Sequence, residues 1–286
     1  MLRKLIVTVV GVCSTVGMWA QQIPAVQVSY TTIDVPGAVV TVALGINTIG
    51  DIVGYYADSN PGDTHGFVWK AGQFTTIDYP GAESTVAYGV NDAGLIVGKA
   101  TKNGGLLQLG FLYDGVLFNV VHIPGLEVTS AQGINNQGII VGAAGEKGYE
   151  LDGHNFRVIS PPQGLGATYA SGVNNLNEVV GVGGLAGETK GFGFKHGRYT
   201  KIAIPSALLT YALGVNDDGI IVGWYQVGAS FFGFALTNGR YSSLEFIGAK
   251  YTLAEGVNSL RQVVGSYSVD GETYHGFVTN PISGGS

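Results

Sequence analysis

Gly89-Val-Asn91-Asp-Ala-Gly94-Leu-Ile-Val97-Gly98 is one copy of a pattern that recurs along this chain. Its first element, Gly-Ile/Val-Asn, stands at Gly45, Gly89, Gly133, Gly172, Gly214 and Gly256, at intervals of 44, 44, 39, 42 and 42 residues. Its second element, Val-Gly, ends nine residues after each of those glycines, from Val53-Gly54 to Val264-Gly265. A period near 40 residues with rigid internal spacing is the signature of a repeat architecture.

One repeat reads as four short strands. In the second copy, residues 74–78, 85–91, 95–98 and 110–113 are β-rich runs divided by turn signals. Asn-x-x-Gly fits a tight hairpin, with glycine in the left-handed position. Asn177 takes that place in the fourth repeat; in the sixth it falls to Arg261, for which the conformation is costly. The Ile-Val-Gly run is apolar on both alternating faces, as in a strand held between two neighbours.

The Thr-x-Ala-x-Gly run carries Ala43, Ala87, Ala131, Ala170, Ala212 and Ala254 beside the repeat glycines. Inner strands of a radial array converge, and small residues fit there, which makes this run innermost and the aromatic run outermost. Pro-Gly linkers (Pro36-Gly37, Pro80-Gly81, Pro124-Gly125) lead to the next unit. With this phase, residues 30–34 are an outer strand without its three partners, and residues 254–279 are three strands without an outer one. The expectation is an all-β, six-bladed β-propeller over residues 21–286, a single domain. Each blade has four antiparallel strands, and the N-terminal strand closes the last blade. The rival phase, with every blade built from consecutive residues, leaves the ring without that clasp.

The chain ends and the composition limit the chemistry. Arg3 and Lys4 precede an apolar run to about residue 19, and Ala20 stands before Gln21-Gln22. This reads as a signal peptide over residues 1–20, hence a secreted or periplasmic protein, and as too short for a spanning helix. Its removal takes Cys13, Met1 and Met18, the only sulfur-bearing residues, so cysteine nucleophiles and cysteine-ligated metals are excluded. Arg3 and Lys4 go with it, leaving 12 of the 14 basic residues against 20 acidic ones. With no basic cluster, nucleic acid and anionic membranes are not expected partners.

His65-Gly-Phe67 and His275-Gly-Phe277, together with the Gly-Ile/Val-Asn and Ile-Val-Gly elements, resemble the bacterial extracellular HAF repeat over about residues 30–279. Glycine replaces the alanine of the name-giving triplet, and the other repeats lack the histidine. The resemblance implies export and a repeated β fold, and no residue-level activity.

The phase puts short, similar turns on one face. The other face carries the linkers and the varying connections 55–64, 99–109, 143–147, 182–191, 224–232 and 266–274. Variable segments on a rigid scaffold are where function resides. The candidates are therefore positions where the repeats disagree. Just before the repeat glycine stand Leu44, Tyr88, Gln132, Ser171, Leu213 and Glu255; after Val-Gly come Tyr55, Lys99, Ala143, Val182, Trp224 and Ser266. Tyr55, Tyr88, Lys99, Gln132, Tyr169, Tyr211, Trp224 and Tyr225 form the candidate binding set, because flat π-faces stack on sugar rings. Packing between blades is the competing reading of each tyrosine.

Glu255 is the one charged residue at its repeat position, and a second carboxylate from Asp78, Glu83 or Glu127 would complete a general acid–base pair. An ion pair with Lys99 or Lys250, or a rim residue in water, is the competing reading. His65 and His275 read as repeat-specific hydrogen-bonding residues, and Asn216-Asp217-Asp218-Gly219 lacks the later ligands of a calcium loop, so no metal and no cofactor is expected. The leading functional expectation is a monomer that binds an extracellular glycan or cell-surface component. A secreted polysaccharide hydrolase or lyase and a structural envelope protein are the alternatives.

Overall fold

The computed structural model describes residues 23–59, 64–125, 129–159, 166–185, 188–205 and 207–283. The signal peptide expected over residues 1–20 lies outside them, as does Glu127. No helix among the described residues is long and apolar enough to cross a membrane.

All regular structure among the described residues is β, and it is built of four-stranded antiparallel units. In the first, Val40–Ile46 pairs with Ile52–Ala57, then Thr64–Lys70, then Gln73–Ile77. Inner strands of the following units begin at Ser84, Thr129, Ala167, Thr210 and Tyr251, and contacts between inner strands run from each unit to the next and from the last back to the first. Single parallel pairings, Thr64↔Ser84 and Phe231↔Tyr251, join two pairs of units into eight-stranded sheets. Tyr30–Ile33 pairs with His275–Thr279, with Tyr30 opposite Thr279 and Ile33 opposite Gly276, so the N-terminal strand is the outer strand of the last unit. The segment before it lies along the preceding unit, where Val26 N donates to Ser243 O and Ser243 N to Pro24 O.

Each unit has the same core. Phe67, Phe111, Tyr149, Phe192, Phe234 and Phe277 are all at most 1 % exposed. Val-Gly exists to admit that ring: a Cβ on Gly98 would sit 2.4 Å from Phe111 Cζ and 2.2 Å from Val86 O. The alanines have a different role from the one expected. All six are completely buried, and a Cβ on Gly191 would lie 2.9 Å from Ala212 Cβ. They are small because they press on the glycine of the preceding sheet; they do not line the axis.

The axis itself is made by a bulge. Every inner strand shifts register between its alanine and its repeat glycine, as between Ala43 and Gly45 or Ala254 and Gly256. The intervening residue has no partner and turns toward the axis, which is how bulges re-aim side chains. The glycine then meets the next unit: a Cβ on Gly45 would be 2.6 Å from Tyr88 O, and one on Gly172 2.5 Å from Leu213 O.

The repeat asparagines do two jobs. Each Oδ1 holds its hairpin; that of Asn135 accepts from Gln137 N and Ile139 N, both at 3.0 Å. Each Nδ2 donates to the asparagine carbonyl of the following unit: Asn47 to Asn91, Asn91 to Asn135, Asn135 to Asn174, Asn174 to Asn216, Asn216 to Asn258, and Asn258 back to Asn47, all at 2.9–3.1 Å. The circuit is closed. Arg261 does take the left-handed conformation (φ 63°), and its guanidinium meets Asp218 at 2.8 Å.

The motif threonines tie the linkers. Thr41, Thr85, Thr210 and Thr252 accept from Val35 N, Tyr79 N, Ile204 N and Phe246 N at 3.0–3.3 Å, which fixes each linker turn against the next inner strand.

Two outcomes test this account. Replacing Asn135 by alanine leaves two hairpin amides without partners and removes one of the two donors to the Asn174 carbonyl, which keeps Asn177 N. It should cost about 2–4 kcal/mol in chemical denaturation. Removing residues 23–35 should lower the melting temperature sharply, because the last unit loses its outer strand; an unchanged value would refute the pairing.

Candidate functional site

One end of the axis is a cavity among the ring asparagines. Its mouth at the other end is reached from the linkers, and between the two stand Leu44, Tyr88, Gln132, Ser171, Leu213 and Glu255, all partly exposed although they belong to the innermost strands. One side of this mouth is aromatic. Tyr211 and Trp224, cross-strand partners in the fifth unit, stack at 3.9 Å with an interplanar angle of 15°. Trp224 meets Phe231 edge-on at 5.6 Å, Phe231 meets Tyr251 at 5.1 Å, and Tyr251 stacks over Tyr274 at 6.5 Å. All five rings are half-buried, each with one part in packing and one part in solvent. Lys250 Nζ lies 5.0 Å from the Tyr251 ring centre.

The arc continues into the first two units. Tyr55 feels the charges of Glu255 and Tyr274, and Tyr88 feels those of Tyr55 and Glu255, so these groups share one neighbourhood. Burial is the main force on both phenols, with the neighbouring negative charge adding to it; Tyr88 is pushed up to about 12. The other side of the mouth is small and polar: Ser130, Gln132 and Ser171, with Gln132 Nε2 donating to Ser130 Oγ at 3.4 Å.

Glu255 keeps partial exposure, and desolvation by the protein around it pushes its pKa up to about 8. Among the described residues it has no hydrogen-bond or ion-pair partner. The expected ion pairs are not formed: Lys99 stands unpaired, its pKa lowered by burial, and Lys250 lies against Tyr251. Asp78 and Glu83 are occupied elsewhere. Asp78 Oδ2 lies 3.0 Å from His65 Nδ1, and Glu83 accepts from Gly104 N at 2.8 Å. Both line a surface cavity of about 300 Å³ with Thr64, Tyr79 and Thr85, where the first unit passes to the second. No contact brings either to Glu255.

The remaining candidates divide. Tyr169 is 38 % exposed on the far side of the mouth. Tyr225 is a core residue, 7 % exposed and packed on Phe232 within the fifth unit, so it is withdrawn from the binding set. The alternation of the strand explains it: Trp224 faces one side of the sheet, and its neighbour must face the other. Connection 224–232, expected as a loop, is paired strand except for the turn at Gly228-Ala229. Phe231, Tyr251 and Tyr274 were missed. Phe231 and Tyr274 occupy one repeat position, two residues before the Gly-Phe glycine, where other units carry Thr64, Gln108, Glu146 and Thr189. Comparing that position across repeats would have found them.

His65 and His275 head twin constellations. Tyr56 stacks on His65 and its hydroxyl bonds Thr76, while His65 meets Asp78; Tyr267, His275, Thr32 and Asp34 repeat the arrangement in the last unit. In the last unit it ties the N-terminal strand to its partners. Among the described residues no group of three or more metal-ligating side chains occurs.

No family model and no curated protein sequence matches this chain. Solved structures do. Virginiamycin B lyase from Staphylococcus aureus matches with a TM-score of 0.52 and 10 % identity, over 88 % of this chain and 99 % of that one. TolB from Acinetobacter baumannii matches at 0.55 and 12 % identity, over 80 % of this chain and 64 % of that one. The β-propeller domain of the trilobed protease from Pyrococcus furiosus matches at 0.52 and 12 % identity, over 88 % and 87 %. These likenesses define the class: the chain has a β-propeller fold. At such identities they carry no activity across.

The buried carboxylate makes stability depend on pH. The folded protein holds the Glu255 proton up to about pH 8, whereas the unfolded chain releases it near the ordinary 4.5, so folding loses stability as pH rises through that window. Glu255→Gln should flatten this slope between pH 5 and 8 and raise the melting temperature above pH 7. A variant that melts with the wild-type pH profile would show that the carboxylate is solvated.

Proposed function

We propose that this chain is an exported, six-bladed propeller of the HAF-repeat type that binds an extracellular glycan at the aromatic side of its axial mouth. The stacked Tyr211–Trp224 pair carries this reading, since it continues through Phe231, Tyr251 and Tyr274 as half-buried rings on one face. Such a surface offers apolar planes to sugar rings, while hydroxyls at the edges and Gln132 and Ser171 opposite offer hydrogen bonds. The closed asparagine circuit and the strand pairing support six blades, and the N-terminal pattern of residues 1–20 supports export.

A second reading, a polysaccharide hydrolase or lyase, is favoured by Glu255 alone. A carboxyl that stays protonated near neutral pH beside the axis is suited to general-acid work. No second carboxylate stands with it among the described residues, which is why binding is preferred.

Mature protein passed over a panel of immobilised polysaccharides should be retained by at least one without releasing product. Trp224→Ala should lose retention at least tenfold with its fold intact. Tyr225→Ala should instead lower thermal stability by about 3 kcal/mol, as expected for a core aromatic. Product release that disappears in Glu255→Gln would establish the enzymatic reading.

A further inference from the structure

Glu255 is a carboxylate that the fold surrounds without giving it a counter-charge. It sits on the bulge of the strand Tyr251–Val257, below the aromatic arc, with Tyr55 and Tyr88 as neighbours. Each of its five repeat equivalents is uncharged. A partly desolvated acid with no partner resists ionisation, and a ligand that brings a cation offsets that resistance. The neighbouring tyrosines favour the same ligand, because an ammonium group is attracted both to carboxylate and to aromatic faces. Of the two lysines expected as its partners, Lys250 is held on the Tyr251 ring, and Lys99 makes no ion pair with Glu255 among the described residues. The whole chain is acidic, with 20 acidic against 14 basic residues, so its long-range field draws polycations and repels polyanions.

We infer that the glycan taken at this mouth is one with free amino groups, its ammonium held at Glu255 and its ring faces laid on Tyr211 and Trp224. This rests on the glycan-binding reading and narrows it. An ammonium group beside Glu255 stabilises the ionised carboxylate and draws its proton off, whereas a neutral sugar can only hydrogen-bond the protonated carboxyl and a uronate would hold that proton on. Tyr211 lies on its inner strand two residues nearer the mouth than the bulge, about 7 Å at strand rise, which is within the reach of adjoining sugar units.

The test is calorimetric titration of the mature protein with three hexamers: glucosamine, N-acetylglucosamine and glucose, each β-1,4-linked. The glucosamine hexamer should bind at least tenfold tighter than the other two at pH 7. That preference should vanish in Glu255→Gln, whose fold is checked by its melting curve, while Trp224→Ala should weaken all three. Equal binding of the three hexamers overturns the amino-glycan inference and leaves glycan binding standing. An undiminished preference in Glu255→Gln overturns the assignment to that residue. Binding of none of the three overturns the glycan reading itself.

Discussion

Everything in this fold hangs on a side-chain amide that serves its own hairpin with its oxygen and the next unit with its nitrogen. An asparagine at the start of each inner hairpin satisfies its Oδ1 locally, while its Nδ2 has two hydrogens and sends one outside the unit even where the other meets its own hairpin, as from Asn174 to Glu178 and Asn258 to Gln262. The acceptor outside is the carbonyl of the equivalent asparagine one unit on. A row of such donors satisfies itself only when it returns to its start, which makes closure part of the hydrogen bonding and not merely a result of packing. The repeat glycine follows from that demand, since no side chain fits between strands drawn so close.

Close approach at one end of the axis has a consequence at the other. The inner strands accommodate it with a bulge, and the bulge residue is the one position per unit freed from both ladder and core. That is why it varies among leucine, tyrosine, glutamine, serine and glutamate while its neighbours stay alanine and glycine. The alanine, glycine and asparagine positions repeat through the chain, and the bulge position and the connections between the second and third strands of each unit carry the diversity.

The sequence made the strand order, the phase and the role of the N-terminal strand legible, because the glycine and asparagine spacing is rigid and turn chemistry is local. It did not disclose the bulge, which is a register shift between strands and leaves no mark in a single strand's pattern. The alanines do mark the innermost strand, but their smallness answers to the glycine of the preceding sheet, a contact between units that one strand's pattern does not carry. Tyr225 was misplaced because a connection containing paired strand alternates its faces, whereas a loop would not. The second carboxylate failed for another reason. Asp78 and Glu83 lie on linkers, and a linker's course above the sheet depends on which threonine it is tied to. Chain position alone does not give that.

The outer strand of the last unit has a kinetic meaning as well. Ser29 and Asn280 bond each other across 251 residues of chain. The strand made first therefore waits for the strands made last, and until they arrive its edge and theirs are open to any other extended segment. Two copies that meet in this state can exchange first strands, each completing the other's ring, so the contact that seals one molecule is also where two molecules would become linked.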